Sequence, residues 1–270
     1  MNERSHALWA LLFGLILCAS PLQAQRNVLQ SDPLRARSLI VYDMIGGYMG
    51  LSFNTQSGTI TTNCDCNFTG AAGTGFVGGF QYERLTRSGF LWGVTLGYEN
   101  RSLEGRFREI EGLAMTSPTT GQTYTVPIDF LNTADLSLHY LSAMPYLKLR
   151  TLGPFYARAG AVISYVFSSS LEHRKTLETT SVTLPNGESA TVSLPGYPTG
   201  VATIQDGPVP SLNALQVGVT LGVGLDLQVG DGFFLSPVLQ YVYPVTTISS
   251  AAEPYSTRAF QLLVEGRFIL

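Results

Sequence analysis

The sequence predicts an all-β chain, an eight-stranded antiparallel up-and-down transmembrane β-barrel, and three observations predict it. In Asn213–Val229 (NALQVGVTLGVGLDLQV) every odd position from Leu215 onward is a large apolar residue and every even one is small or polar. A strand turns successive side chains to opposite faces, so this segment has one greasy face and one wet face. The connections between such segments alternate between short and long, the layout of barrels that cross an outer membrane. Charged residues make up only 13% of the 270-residue chain, against roughly 25% in a soluble protein.

Residues 1–24 read as a secretory signal peptide, with Arg4 in the basic region, Ala7–Ala19 as the apolar stretch and cleavage between Ala24 and Gln25. The apolar run is shorter than the ~18 residues a spanning helix needs. Residues 25–38 form a short polar lead-in carrying Pro33, expected in the periplasm, and 39–270 form the barrel.

Each barrel element shows two faces. In Leu39–Phe53, Ile40, Tyr42, Met44 and Tyr48 oppose Asp43 and Gly47. Gly75–Leu85 sets Phe76, Phe80 and Tyr82 against Gly79, Gln81 and Glu83. Phe90–Arg101 sets Trp92, Val94, Leu96 and Tyr98 against Gly93, Thr95, Gly97, Glu99 and Arg101. Leu136–Arg150 turns Leu141, Ala143, Pro145, Leu147 and Leu149 away from Ser142, Tyr146 and Lys148. Phe155–Ser168 turns Ala157, Ala161, Ile163, Tyr165 and Phe167 away from Arg158, Gly160 and Ser164. Asn213–Val229 is the sixth. Phe233–Val245 and Ala259–Leu270 complete the set, with Ser236 and Gln240, then Gln261, Glu265 and Arg267, on their wet faces. Pro145 and Pro237 each remove a ladder donor, which predicts local bulges.

Thr86–Gly89, Thr151–Pro154 and Gly230–Gly232 are tight hairpin turns, expected on the periplasmic side with both termini. Residues 54–74, 102–135, 169–212 and 246–258 read as long loops, and Thr116–Thr125 and Ser181–Gly207 are rich in Thr, Ser, Gly and Pro. Any extracellular ligand is expected to bind these loops.

The charges follow the faces. Glu83, Glu99, Asp226 and Glu265 fall on wet faces, as do Arg101, Lys148, Arg158 and Arg267. An interior set of four acids and four bases is expected to neutralise itself as a lumen charge network. Eight strands enclose a space just wide enough for side chains. The wet-face glycines are therefore expected to make room for Arg, Tyr and Glu, leaving a plugged lumen.

His139–Ser164 carries Tyr140-Leu141, Pro145, Leu147-Lys148, Phe155-Tyr156 and Ala159-Gly160. This pattern resembles the outer-membrane β-barrel domain family of small porin-like and OmpA-like barrels. The resemblance implies residence in a Gram-negative outer membrane, contact with its lipids, and assembly by the barrel assembly machinery. It implies little about activity. The chain ends Phe268-Ile269-Leu270, whereas such barrels usually end on an aromatic residue.

A net charge of −3 and pI near 5.6 offer no field for nucleic acid. No cofactor or metal site is expected. Cys64 and Cys66 are expected to be oxidised, as a local disulfide, in a bridge to another chain or as an adduct; a two-thiolate metal site is a further alternative. Three histidines are the candidates for catalysis on lipid: His6 in the signal, His139 with Ser137, Ser142 and Asp135 nearby, and His173 in a loop. No fixed motif accompanies them. The expected function is therefore a non-enzymatic barrel acting in surface interaction or envelope integrity. A lipid-modifying enzyme, a narrow channel and a soluble carrier of apolar ligands are the alternatives.

Overall fold

Two-faced strands close on themselves in the computed structural model, which describes residues 42–62, 66–86, 90–150, 153–194, 196–249 and 255–270. The signal-peptide and lead-in readings, including Ala24 and Gln25, lie outside the described residues. The barrel strands are β1 (Asp43–Ser57), β2 (Ala71–Leu85), β3 (Leu91–Thr116), β4 (Thr123–Arg150), β5 (Phe155–Leu177), β6 (Leu215–Leu225), β7 (Phe233–Pro244) and β8 (Ser256–Ile269). Leu227–Gly230 continues β6 after a one-residue break at Asp226. Every strand pairs antiparallel with its chain neighbour. β1 and β8 close the ring from Met44 opposite Ile269 to Ser57 opposite Ser256.

The exterior of the ring is apolar. Leu221 is 62% exposed, and Met49, Phe80, Leu96, Leu147, Val223 and Val264 are exposed with it. The inward positions bury Ser52, Thr95, Gln81, Thr220, Gln240 and Gln261. A soluble carrier needs the opposite arrangement. The 11 residues of β6 rise ~3.3 Å each, and at a tilt of ~40° they project to roughly 28 Å, close to the ~25 Å apolar band of such barrels.

Two sequence expectations fail inside the ring. In β1, Met44 is buried and Tyr48 points inward, while Ile45, Met49, Leu51 and Phe53 are exposed. Gly47 shares their outward parity, so the predicted faces of this strand are reversed. Large apolar residues occupy both parities here, and the alternation alone does not choose between them. The prolines bring no bulge either. Pro145 holds continuous register opposite Val94, and Pro237 opposite Val264. Each strand tolerates the missing donor as a skipped rung.

The larger correction concerns length. β3, β4 and β5 run for 26, 28 and 23 residues, so most of the expected loop 102–135 is a hairpin in unbroken register from Leu91 opposite Lys148 to Thr116 opposite Thr123. Much of 169–212 is ordered too, as the rest of β5, a small hairpin (Ser181–Thr183 with Ser189–Thr191), and Val201–Gly207 paired to β5. β2 accompanies β3 only as far as Gly105. Above that level the ring opens into a four-stranded sheet: Val201–Gly207, β5, β4, β3.

This extension has its own apolar interior. Leu103, Ala134, Leu136, Leu138 and Leu171 pack with Ile60, Phe68, Val209 and Ile248. Farther out, Val126, Ile128, Phe130 and Leu177 pack with Leu184 and Val192. A register shift in the β4–β5 ladder, where His139 pairs with Ser168 and Tyr140 with Val166, leaves Phe167 as an extra residue. That bulge reverses the parity of β5, so Leu171 and His173 turn inward.

Candidate functional site

The lumen is where the predicted charges meet. Lys148 Nζ lies 3.0 Å from Asp226 Oδ1 and 3.4 Å from Glu83 Oε2. Arg267 pairs with both of those carboxylates, and Arg158 pairs with Glu265. Tyr146 donates its hydroxyl to Glu83 at 2.7 Å, and Ser236 donates to Asp226 at 3.0 Å. Nearer the extension, Arg101 grips Glu99 with two bonds of 2.8 and 2.9 Å.

Two glutamines join these clusters, and the sequence reading did not assign them a role. Arg158 donates to Gln240, Gln240 to Gln261 at 2.9 Å, and Gln261 to Glu99 at 2.8 Å. The eight charged residues thus form two hydrogen-bonded clusters, Lys148, Arg267, Glu83 and Asp226 in one and Arg158, Arg101, Glu265 and Glu99 in the other. Each is balanced in charge as burial demands, with Arg267 Nε 4.0 Å from Glu265 Oε2 between them. A Gln on a wet face carries no charge to flag it. Only the register that sets Gln240 opposite Gln261 reveals the link.

Tyrosines fill the remaining space. A Cβ on Gly93 would lie 2.6 Å from the Tyr146 ring, and one on Gly224 would lie 2.5 Å from the Tyr156 ring. Lys148 sits 3.8 Å above the Tyr156 ring centroid. Between the clusters there are voids of about 20 Å³, beside Tyr48, Glu99 and Arg158, and about 10 Å³, beside Arg101 and Gln216. Each is space for about one water.

The histidines part company. His173, expected in a loop, is fully buried inside the extension. Its Nδ1 is 3.0 Å from Thr62 Oγ1, its Nε2 is 3.1 Å from Asn132 Oδ1, and Phe68 packs edge-on against its ring. Burial, followed by the nearby Lys175 ammonium, holds its pKa below the usual imidazole value.

His139 faces outward at the rim between belt and extension. Its Nδ1 is 2.7 Å from the Tyr98 hydroxyl and its Nε2 is 3.4 Å from Ser137 Oγ. Asn100 places its amide nitrogen 3.3 Å from Ser137 Oγ and 3.4 Å from His139 Nδ1. Ser142 turns the other way, bonding Ser164 at 2.7 Å, and Asp135 is engaged by Arg174 at 3.0 Å. Of the candidates near His139 in sequence, the fold therefore assembles Ser137 with it and adds Tyr98 and Asn100 from β3.

Cys66 is disulfide-bonded, and Cys64 lies outside the described residues.

Among solved structures the chain is similar to Neisserial surface protein A, at 12% identity over 83% of this chain and 96% of that one, with a TM-score of 0.35. It is similar to Ail, the attachment invasion locus protein of Yersinia pestis, at 10% identity over 84% and 99%, with a TM-score of 0.34. The outer membrane protease OmpT from Escherichia coli follows at 9% identity over 85% and 97%, with a TM-score of 0.26. A comparison with curated proteins gives no match. A family model, the outer membrane protein beta-barrel domain, matches residues 25–250, and the chain belongs to that family.

Proposed function

We propose that the protein works by binding at the cell surface. On this reading the eight strands anchor it in the Gram-negative outer membrane with both termini periplasmic, and the extension stands outside the cell as a rigid platform. The filled lumen neither conducts nor catalyses. Outer-membrane lipids surround the belt, the barrel assembly machinery inserts it, and an extracellular ligand meets the extension.

The observation that carries this reading is the extension's separate core. A connection that merely closed a hairpin would need no buried Ile128, Phe130, Leu136 and Leu171. The inward set holds the sheet in one shape, while Glu104, Arg106, Arg108, Asp135 and Arg174 present charge outward. Rigid presentation lowers the ordering cost of binding.

The test shortens the hairpin, joining Phe107 to Asn132, which face each other in register, by an Asn-Gly turn. Cells carrying either chain are compared for adhesion to immobilised fibronectin, laminin and heparin, and the purified chains for conductance in planar bilayers. Loss of adhesion by a shortened chain that still inserts, with neither chain conducting, is the expected result. Unchanged adhesion with new sensitivity to vancomycin would reassign the protein to envelope integrity, and stepwise conductance would overturn the sealed lumen.

A further inference from the structure

The rim constellation on β3 and β4 goes beyond binding. Ser137, His139, Tyr98 and Asn100 are half-buried on the outward face, outside the lumen network. Above them stand the charged side chains Glu104, Arg106, Asp135 and Arg174. Below them begins the apolar belt, with Leu96 and Leu141 exposed. Here a bilayer passes from headgroup to acyl chain, the depth of a lipid's ester bonds.

A second feature meets the first at the same place. A groove of about 530 Å³ runs down the belt between β2, β3, β4 and β5, walled by Phe80, Leu96, Leu141, Ile163 and Tyr165. Tyr98 lines the groove and also bonds His139. The depression is shallow and open to the surroundings along its length, room for an acyl chain to lie against the strands. An acyl chain lying in this groove brings its ester to the rim, beside Ser137.

We propose that this face is an esterase site for the ester-linked acyl chains of membrane lipids, with Ser137 as nucleophile and His139 as general base. Each residue has a geometric warrant. Ser137 Oγ and His139 Nε2 lie 3.4 Å apart, the loose contact of an unliganded nucleophile–base pair. The Tyr98 hydroxyl lies 2.7 Å from Nδ1; assigning the ring proton to Nδ1, with Tyr98 as its acceptor, leaves the Nε2 lone pair facing the serine. The Asn100 amide donates toward Ser137 Oγ from 3.3 Å and is placed to donate to an oxyanion formed there.

The reaction balances without a co-reactant other than water. Ser137 Oγ bonds to the ester carbonyl carbon as its proton passes to His139 Nε2. The tetrahedral oxyanion receives a hydrogen bond from Asn100. Collapse breaks the carbon–oxygen bond to the lipid alcohol, which leaves with the proton from Nε2. Water then attacks the acyl-serine, giving its proton to Nε2, and the fatty acid departs as that proton returns to Ser137 Oγ.

The experiment uses the full chain refolded in detergent micelles, with folding checked by heat-modifiable mobility on gels. Reaction with a fluorophosphonate probe reads the nucleophile. Fatty-acid release from phosphatidylethanolamine vesicles and, separately, from lipid A dispersions tells the two lipid sources apart. The expected result is labelling and release by the native chain, both lost in Ser137→Ala. His139→Ala should slow release by about 10²–10⁴-fold and Asn100→Ala by about 10²–10³-fold. Tyr98→Phe, a positioning change, should keep labelling but move the acidic limb of the pH–rate profile. Folded native protein that neither labels nor releases fatty acid above Ser137→Ala overturns the site, whatever the hairpin-shortening experiment gives. Labelling that persists in Ser137→Ala overturns it too.

Discussion

Strand β4 crosses two environments without changing its step, and the two halves use that step in opposite ways. Toward the short-turn end, Leu141, Leu147 and Leu149 face out and Tyr146 and Lys148 face in. Toward the far end, Leu138, Leu136, Phe130 and Ile128 face in, while Ser137, Asp135, Thr133 and Asp129 face out. The even positions are inward throughout, and beyond Tyr140 they become apolar except for Asn132. The ladder fixes which way a side chain points, and the surrounding solvent fixes which kind is tolerated there. In the belt the outside is oil and the inside can hold charge; in the extension the outside is water and the inside is greasy, with His173, Asn132 and Thr62 buried where they bond one another.

The sharpest contrast is between buried and exposed ion pairs. Arg267 is sealed in the lumen against Glu83 and Asp226, whereas Arg174 lies 44% exposed between Asp135 and Glu172. Arg267→Ala leaves two buried carboxylates to share the single Lys148 ammonium and should cost about 3–5 kcal/mol. Arg174→Ala should cost at most about 1 kcal/mol. Urea titration of both variants in lipid vesicles measures the gap. Equal losses would mean that the lumen is wetter than its geometry.

A second pair tests solvent directly. Leu221 in the belt and Ile110 in the extension both face out, at 62% and 69% exposure. Leu221→Arg should lose about 2–4 kcal/mol of folding free energy in bilayers. Ile110→Arg should stay within about 0.5 kcal/mol. Thr220→Ser, one residue from Leu221 but turned inward, should leave refolding unchanged. If Ile110→Arg proved as damaging as Leu221→Arg, the extension would not stand in water.

These contrasts also locate what the sequence made legible. The belt was readable because large and small residues alternate cleanly in β3 and in β6, from Leu215 to Leu225, and the lumen charges followed from parity alone. β1 misled because Met44 and Tyr48 match Ile45 and Met49 in bulk. The extension is hidden in the sequence because its alternation is inverted: a greasy-out, polar-in pattern leaves Leu136 and Leu138 on the wrong side of Ser137 and His139. β5 hid the change further, since the extra residue at Phe167 shifts its parity. The rim constellation is a two-strand object. Ser137 and His139 are neighbours on one face of β4, but Tyr98 and Asn100 join them only through the register that sets Tyr98 opposite Leu141 and Asn100 opposite His139.

The smallest expected effect separates the two regions by pH. His173 is neutral in the extension, accepting from Thr62 and donating to Asn132, with Lys175 and Glu109 the charged groups that act on it. Its folded pKa is depressed, so below the ordinary value of about 6.5 the unfolded segment takes up a proton before the folded one does. The stability His173 contributes is therefore complete above that value and declines as the pH falls through it. Amide exchange around Thr62, Asn132 and His173, corrected for its intrinsic pH dependence, should lose protection between pH 7.5 and 5.5, while the belt amides of β6 and β7 hold theirs. His173→Gln keeps a donor and an acceptor without a titrating ring, and should flatten that dependence. A pH response that survived His173→Gln would place the sensitive group among the carboxylates of the extension, and one that reached β6 would show that the two regions open together.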